Sequence, residues 1–308
     1  MNLLRYTLLL PVLAALAYTS ACSGPTGKEL DTPTSGQITL AVDASFKPII
    51  ASTIATFEDA YPAAKIKPVY TSEGAAFNML MQDSARMVVA SRGLSAQEAA
   101  YFAKRQITPH QYPYAVDAVA VVLHRANPDT LLTLDQLKGI VSGQTKTWPG
   151  RAEAVQPVAD AGSSANLEYL KTRLGVAELP PTLYATGSNE SVIDYVAAHP
   201  GAIGFIGVGT VADTESPAAQ GFVRKIRVAS IADAAIARDS NSYQPYQAYL
   251  QLKKYPLART VYIVSREARA GLGTGFAAWA LSDKGQRIIL KAGLLPKAMP
   301  VRIINLGK

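Results

Sequence analysis

Short β-prone runs alternate with segments of helical spacing along almost the whole chain of 308 residues. Ile38 to Val42 is β-prone, and the apolar residues that follow recur at intervals of about four residues, as on one face of a helix: Phe46, Ile50, Ile54 and Phe57. Residues 66–70 and 87–90 are the next β-prone runs, and each precedes another helical segment. This alternation predicts an α/β fold in which helices cover the faces of a mostly parallel sheet.

The same pattern continues to the C-terminus. Ser95 with Glu98 and Thr133 with Gln136 have the spacing of capping boxes, which mark helix starts. The first helix is predicted over Ala96 to Arg105, and the second ends near Gly143. Further strands are predicted over residues 115–123, 155–159, 202–206 and 225–229, and further helices from Ser163, over residues 274–281 and near residues 286–292.

Length, hydrophobicity and charge narrow the class of protein. A chain of this length with 49% hydrophobic residues can bury one large core or two smaller ones, and two lobes are the better expectation. The net charge of +7 is spread along the chain and is not gathered in a block of Lys or Arg. We therefore expect no nucleic-acid partner, while the basic balance mildly favours an anionic one.

The N-terminus has the pattern of an export signal over residues 1–21. A short positive region precedes an apolar run, Tyr6 to Ala17, that is too short to span a bilayer, and small residues lead to Cys22. Cys22 is the only cysteine, and its position resembles the lipobox of bacterial lipoproteins, although Thr19 stands where an aliphatic residue is usual. We expect Cys22 to be acylated and to anchor the chain to a bacterial membrane. Ordinary cleavage after Ala21, leaving a free thiol, is the alternative.

A stretch rich in Gly, Pro, Thr and Ser follows this cysteine. Residues 23–36 contain few apolar side chains that could pack against a core. Residues 22–36 are therefore predicted to form a flexible tether.

Small polar residues stand where predicted strands give way to helices. They occur at Asp43-Ala44-Ser45-Phe46, at Thr71-Ser72-Glu73-Gly74, at Ser91-Arg92-Gly93 and at Gly162-Ser163-Ser164. In a parallel α/β sheet such junctions share one crevice at the carboxyl edge. Helix N-termini offer unpaired N–H groups and partial positive charge, so an oxyanion is the natural ligand. Each serine alone could be only a helix cap, but the repetition favours an anion site.

Seven segments together resemble the phosphate-binding proteins of ABC transporters, in the type II periplasmic-binding-protein class, from about Gly36 to the C-terminus. These segments are DASFKPI (43–49), ASRGLSAQE (90–98), DAVAVVLHRANP (117–128), LTLDQLKGIVSGQTKTW (132–148), AGSSAN (161–166), GAIGFI (201–206) and YPLARTVYIV (255–264). Their order and spacing carry the resemblance, since none of them is diagnostic alone.

The resemblance implies a two-lobed clamshell in which each lobe is a central, mostly parallel sheet flanked by helices. Residues 37–113 together with 245–308 would form lobe 1, and residues 114–244 would form lobe 2. The protein would be a periplasmic or cell-surface monomer that captures phosphate or a similar tetrahedral oxyanion and delivers it to an ABC permease. Neither an enzymatic activity nor a cofactor is expected.

The resemblance also implies which residues hold the anion. The first lobe would supply Ser45, Phe46 and Ser72, and the second lobe would supply Ser163 and Ser164 from a loop that reads Gly-Ser-Gly-Thr in relatives. Here that loop ends in Ala165 instead of Thr, and Ala159 stands where well-studied relatives carry an Arg.

Arg92 is the candidate replacement for this missing cation. Its guanidinium would bring positive charge from the opposite wall, with a fork of N–H donors suited to an oxyanion. The alternative is that Arg92 forms a structural ion pair with Glu73 or Asp117. Either acid could instead accept the proton of a protonated oxyanion.

Other chemistries have weaker support. The three histidines show no metal-ligand spacing, and GLGTGF near the C-terminus lacks the βαβ unit of a dinucleotide site. An enzyme acting on phosphate esters would need a nucleophile or metal set that the sequence does not offer. A sensor or scaffold of the same fold without high-affinity anion binding remains an alternative, because of Ala159 and Ala165.

Overall fold

The structure, a computed structural model, describes residues 30–161, 164–213 and 215–298. The predicted signal peptide, Cys22, most of the predicted tether and Ser163 lie outside these ranges.

The described strands and helices follow the predicted alternation. The strands are β1 (Gly36–Asp43), β2 (Ala64–Thr71), β3 (Met87–Ala90), β4 (His110–His124), β5 (Leu131–Thr133), β6 (Gln156–Ala159), β7 (Tyr184–Ala185), β8 (Ala202–Gly207), β9 (Ile226–Val228), β10 (Ser230–Ala232), β11 (Ala258–Ser265) and β12 (Leu295–Pro296). The helices are α1 (Lys47–Ala60), α2 (Glu73–Met81), α3 (Ala96–Ala103), α4 (Leu134–Val141), α5 (Ala165–Leu174), α6 (Asn189–Ala198), α7 (Pro217–Lys225), α8 (Gln247–Gln251), α9 (Leu272–Leu281) and α10 (Asp283–Lys291), with 3-10 turns at Ala44–Phe46 and Val208–Thr210.

Local signals place the helix starts well and the strand ends less well. Both predicted capping boxes form, at Ser95 with Glu98 and at Thr133 with Gln136. Strand β4 is longer than predicted, since it starts at His110 and includes Pro113. Pro113 is tolerated because the ladder is interrupted beside it: Val261 pairs with Ala115 and Tyr262 with Pro113, so Tyr114 of β4 has no partner in the register.

One sheet runs through the molecule in the strand order β2-β1-β3-β11-β4-β8-β6-β7. Strands β1 to β3 are parallel to one another, as are β6 to β8, and the antiparallel pair β11 and β4 lies between the two groups. Strand β4 pairs with β11 up to Ala118 and with β8 from Val119 onward. It is therefore shared by both halves of the sheet.

Helices bury their apolar faces against this sheet. In the first half, Phe57 of α1 lies edge-on to Phe276 and Trp279 of α9, with ring centroids 5.4 and 5.7 Å apart. Burying a side chain such as Phe57 stabilises the fold by about 1.5–3 kcal/mol. Among the described residues, no helix is both long and apolar enough to cross a membrane.

The end of the predicted tether is not free. Both carboxylate oxygens of Asp31 accept hydrogen bonds of 3.0 Å from Arg86, and the Leu272 N–H at the start of α9 donates to Asp31 at 2.8 Å. Burial by itself would raise the pKa of Asp31, but the Leu272 N–H, Arg86 and Arg269 hold it below its usual value. The prediction of a tether reaching residue 36 is corrected here, because residues 31–35 dock on α9 and Gly36 already belongs to β1.

Candidate functional site

The carboxyl ends of both parallel strand groups face the middle of β4. In the first group, Asp43 at the end of β1 lies beside Thr71 of β2, and β3 runs in the same direction. In the second group, Gly207 at the end of β8 pairs with Val119 of β4, and β6 runs parallel to β8. Since β4 changes partner at Ala118, the polar junctions of both groups lie around that point. This is the arrangement expected of a ligand crevice in an α/β fold.

The first junction contains a buried carboxyl group. Asp43 is 2% exposed, and its Oδ1 accepts the Ser45 N–H at 2.9 Å. Burial raises the pKa of Asp43, hydrogen bonds from Ser45 and the charge of Arg259 oppose this rise, and the charge of Glu73 adds to it. Phe46 is buried beside it. Asp43 therefore lies within electrostatic range of groups from two other parts of the site.

The second and third junctions are joined by Glu73. Ser72 is exposed and caps α2, with its Oγ accepting the Ala75 N–H at 3.4 Å. Glu73 Oε2 accepts both the Ser91 N–H at 2.9 Å and the Ser91 hydroxyl at 2.7 Å. The structure therefore brings the junctions after β2 and β3 into direct contact.

Arg92 lies in ion pairs with two carboxylates. Its Nε donates to Glu73 at 2.9 Å, while Nη1 and Nη2 donate to the two oxygens of Glu98 at 2.7 and 3.0 Å. Burial opposes both charges, but this pairing raises the pKa of Arg92 and, with the Ser95 N–H, lowers that of Glu98. The ion-pair alternative is the arrangement found, with Glu73 and Glu98 as partners instead of Asp117.

The second wall of the site is the start of α5. Ser164 is buried and caps this helix, since its Oγ accepts the Leu167 N–H at 3.3 Å. Asp160, between β6 and this helix, has a buried Oδ1 with no hydrogen-bond partner in the described part of the chain. The wall thus presents a capped helix N-terminus and an unpaired acceptor.

Arg259 on β11 is the residue that connects the two walls. Its Nε and Nη2 contact Asp117 Oδ2 at 2.8 and 2.7 Å, and the two side chains are only 1% and 3% exposed. On the other side, Nη1 donates to the Ala165 carbonyl at 3.0 Å and Nη2 donates to Asn166 at 2.7 Å. The guanidinium also lies 5.7 Å from the centroid of the Phe46 ring. Phe46 and the first turn of α5 are therefore separated by one buried guanidinium.

Strand alternation was the signal that could have identified Arg259. Residues 259, 261 and 263 share one face of β11, and Val261 and Ile263 on that face are apolar and buried. A cation on the buried face of a strand requires a buried partner. Asp117 is likewise a charged residue within an apolar strand, β4, and it lies opposite Arg259 in the ladder.

A separate cavity borders the site at Arg259. A cavity of about 750 Å³ lies beside β11 and is lined, among others, by Arg173, Lys253, Lys297 and Arg259. No group of three or more His, Cys, Asp or Glu within the described ranges is arranged to hold a metal ion.

Comparison with known proteins identifies the class. The sequence model of the PBP superfamily domain matches residues 27–284, so the chain belongs to this superfamily. The match confirms the predicted clamshell fold class.

Three individual proteins are similar to this chain in sequence or in fold. The chain is 25% identical over 264 residues to the phosphate-binding protein PstS of Pseudomonas aeruginosa, covering 79% of this chain and 77% of that one. It is similar in fold to an ABC-type phosphate transport receptor from Vibrio cholerae, with a TM-score of 0.69 and 23% identity over 85% of this chain and 100% of that one. A Clostridium perfringens chain solved with bound phosphate gives a TM-score of 0.71 at 19% identity, with the same coverage.

Proposed function

We propose that this protein is an extracytoplasmic solute-binding lipoprotein that captures phosphate, or a similar tetrahedral oxyanion, between two lobes for an ABC permease. The observation that carries the proposal is the convergence of the strand ends on the middle of β4, with Arg259 between Phe46 and the first turn of α5. The names of the relatives in Pseudomonas aeruginosa and Vibrio cholerae support phosphate as the ligand.

The anion would be held largely by neutral donors. Arg92 is balanced by Glu73 and Glu98, and Arg259 by Asp117. The donors we expect instead are the hydroxyls of Ser45, Ser72, Ser163 and Ser164 and the N–H groups at the helix N-termini. Each hydrogen bond to a charged group contributes about 1.5–3 kcal/mol, so several of them can hold an oxyanion.

The nearby carboxyl groups favour a protonated oxyanion over one without a proton. Asp43 is buried, and Asp160 has an unpaired buried oxygen. Such oxygens can accept a hydrogen bond from the O–H of monohydrogen phosphate, whereas sulfate at neutral pH has no proton to donate and would meet only repulsion. Phosphate is therefore the favoured member of the tetrahedral class.

Export and anchoring complete the proposal. Lobe 1 would consist of residues 37–113 and 245–308, and lobe 2 of residues 114–244. The two lobes would be joined through β4 and β11. Acylation of Cys22 would hold the protein at a bacterial membrane. In cell fractionation, the wild type should be found with the membranes and the Cys22→Ala variant in the soluble periplasmic fraction; an unacylated, soluble wild type would contradict the anchor alone.

Ligand-induced stabilisation tests the binding function. Melting of the purified protein should shift upward with phosphate, since a ligand at about 1,000 times its Kd adds about 4.1 kcal/mol to the free energy of unfolding. Sulfate should give a smaller shift, and sodium chloride at equal ionic strength serves as the control. The absence of any oxyanion effect would favour the second candidate, a sensor or scaffold of the same fold, to which the balanced charges of Arg92 and Arg259 also point.

A further inference from the structure

The carboxylate of Glu73 occupies a set of donors suited to an oxyanion. Ser91 offers its N–H at 2.9 Å and its hydroxyl at 2.7 Å to Glu73 Oε2, and Arg92 Nε donates to Oε1 at 2.9 Å. A backbone N–H, a hydroxyl and a guanidinium directed at two oxygens of one anionic group are what a bound phosphate or sulfate uses.

Glu73 stands next to a predicted ligand of the anion site. Glu73 is the first residue of α2 and directly follows Ser72, which the sequence predicts as an anion ligand. Its side chain is 12% exposed, so the carboxylate is largely shielded from solvent. Asp43, at the end of β1, is close enough for the charge of Glu73 to raise its pKa.

The other acid on Arg92 has a separate structural role. Glu98 closes the capping box of α3, accepting the Ser95 N–H at 2.7 Å while its own N–H donates to Ser95 Oγ at 3.2 Å. Releasing the Glu98 carboxylate would leave the Ser95 N–H at the start of α3 without its acceptor. The hydrogen bonds of the Glu73 carboxylate, in contrast, run only to Ser91 and Arg92 of the third junction among the described residues. Glu73 is therefore the acid that can leave without opening a helix end.

We propose that Glu73 is an internal stand-in for the oxyanion at the third junction. Its carboxylate must move away before a ligand can use Ser91 and Arg92. The inference rests on the proposed function and adds a competitor within the chain. An apparent affinity falls in proportion to the fraction of molecules whose site is free, so Glu73 lowers the affinity for phosphate.

Calorimetric titration of Glu73→Gln and Glu73→Ala with inorganic phosphate tests this competition. Gln keeps an acceptor for Ser91, so the fold is retained, but it lacks the charge that holds Arg92. Both variants should bind phosphate about tenfold more tightly than wild type, in line with the release of one charge-assisted hydrogen bond. Adding Ser91→Ala to Glu73→Ala should reverse part of the gain, because the Ser91 hydroxyl, one of the three freed donors, would be missing.

Glu58→Gln is the matched control. Glu58 also accepts a backbone N–H, that of Ile66 at 2.7 Å, and pairs with Lys65, but it lies near the amino end of β2, away from the junctions. Its phosphate affinity should equal that of wild type.

The outcomes separate this inference from the proposed function. Equal affinities of wild type and the Glu73 variants would overturn the inference and leave phosphate binding intact. Weaker binding by Glu73→Gln would also overturn it, because Glu73 would then be an acceptor for the ligand. Phosphate binding by Glu73→Ala but not by wild type would support it strongly. An absence of binding in every variant would refute both.

Discussion

At the scale of single residues, the site is defined by how its charges are balanced. Arg259 and Asp117 are almost completely buried, whereas other ion pairs, such as Lys225 with Asp194, are about half exposed at 49% and 61%. A buried pair contributes little net stability as a pair, but removing one partner leaves the other charge desolvated and unpaired. Loss of Arg259 alone should therefore be costly to the fold.

Replacing Arg259 by Ala should lower the free energy of unfolding by about 3–5 kcal/mol, because Asp117 would be left as an uncompensated buried charge. Lys225→Ala, which breaks an exposed pair, should cost about 0–1 kcal/mol. Urea denaturation followed by circular dichroism measures both. A loss of less than about 1 kcal/mol for Arg259→Ala would show that Asp117 does not depend on it.

Asp43 should make stability depend on pH. Burial raises its folded-state pKa above the ordinary value of 3.8, so the folded state holds this proton more tightly than the unfolded state does. The contribution of Asp43 is then greatest below the unfolded pKa, falls as pH rises toward the folded pKa, and is constant above it. The Asp43→Asn variant keeps an acceptor for the Ser45 N–H, but its amide does not titrate. The stability difference, wild type minus variant, should therefore decrease with rising pH; an increase would mean that Arg259 lowers this pKa.

The junction serines are predicted from a local pattern, small polar residues after strands, whereas Phe46 is implied by the family resemblance. Sequence reasoning considered Glu73 and Asp117 as partners of Arg92 without deciding between them, and the choice of Glu73 and Glu98 depends on how α2 and α3 pack. Arg259 was missed because its partner is 142 positions away in the chain. Such a pairing follows from strand order, which no local pattern reveals.

At the scale of elements, the starts of α3 and α4 were predicted because their signals are local, whereas α6, α7 and α8 were not predicted. The capping boxes of α3 and α4 form as expected. Strand β11 was recognised only as part of a resembling motif. The three-residue strand β9 lies within the predicted run 225–229, whereas β5, β7, β10 and β12 were not predicted, since they exist through pairing with neighbours.

Ser164→Ala should separate capping from ligand binding. Loss of the cap should cost about 1 kcal/mol of stability, and Ser216→Ala, which removes the cap of α7, should cost a similar amount. Only Ser164→Ala should also weaken phosphate binding, because α5 faces the crevice. Equal phosphate affinities of the two variants would show that Ser164 acts as a cap alone.

Gly275 in α9 tests the docking of residues 31–35. A Cβ there would lie 1.9 Å from the Pro33 carbonyl oxygen, whereas a Cβ at Gly221 in α7 meets only Arg224 at 3.9 Å. Gly→Ala inside a helix normally stabilises by about 1 kcal/mol. We expect that gain for Gly221→Ala and a loss for Gly275→Ala, measured by thermal melting. A gain at both positions would show that Pro33 moves aside at no cost.

At the scale of the whole molecule, the alternation of strands and helices predicted the fold class, and membership of the PBP superfamily confirms it. The continuity of the sheet could not be predicted, because it depends on β4 exchanging β11 for β8 at Ala118. That exchange turns the carboxyl ends of two separate strand groups toward one another. The location of the crevice is thus a property of the topology.

The central claim is that this crevice captures a tetrahedral oxyanion. Calorimetric titration of the Cys22→Ala protein, purified from the periplasm, with phosphate, sulfate and molybdate tests it most directly. The account predicts saturable binding of one phosphate per chain, tighter than that of sulfate because carboxyl groups line the site. An absence of saturable heat with all three anions at millimolar concentration would contradict it.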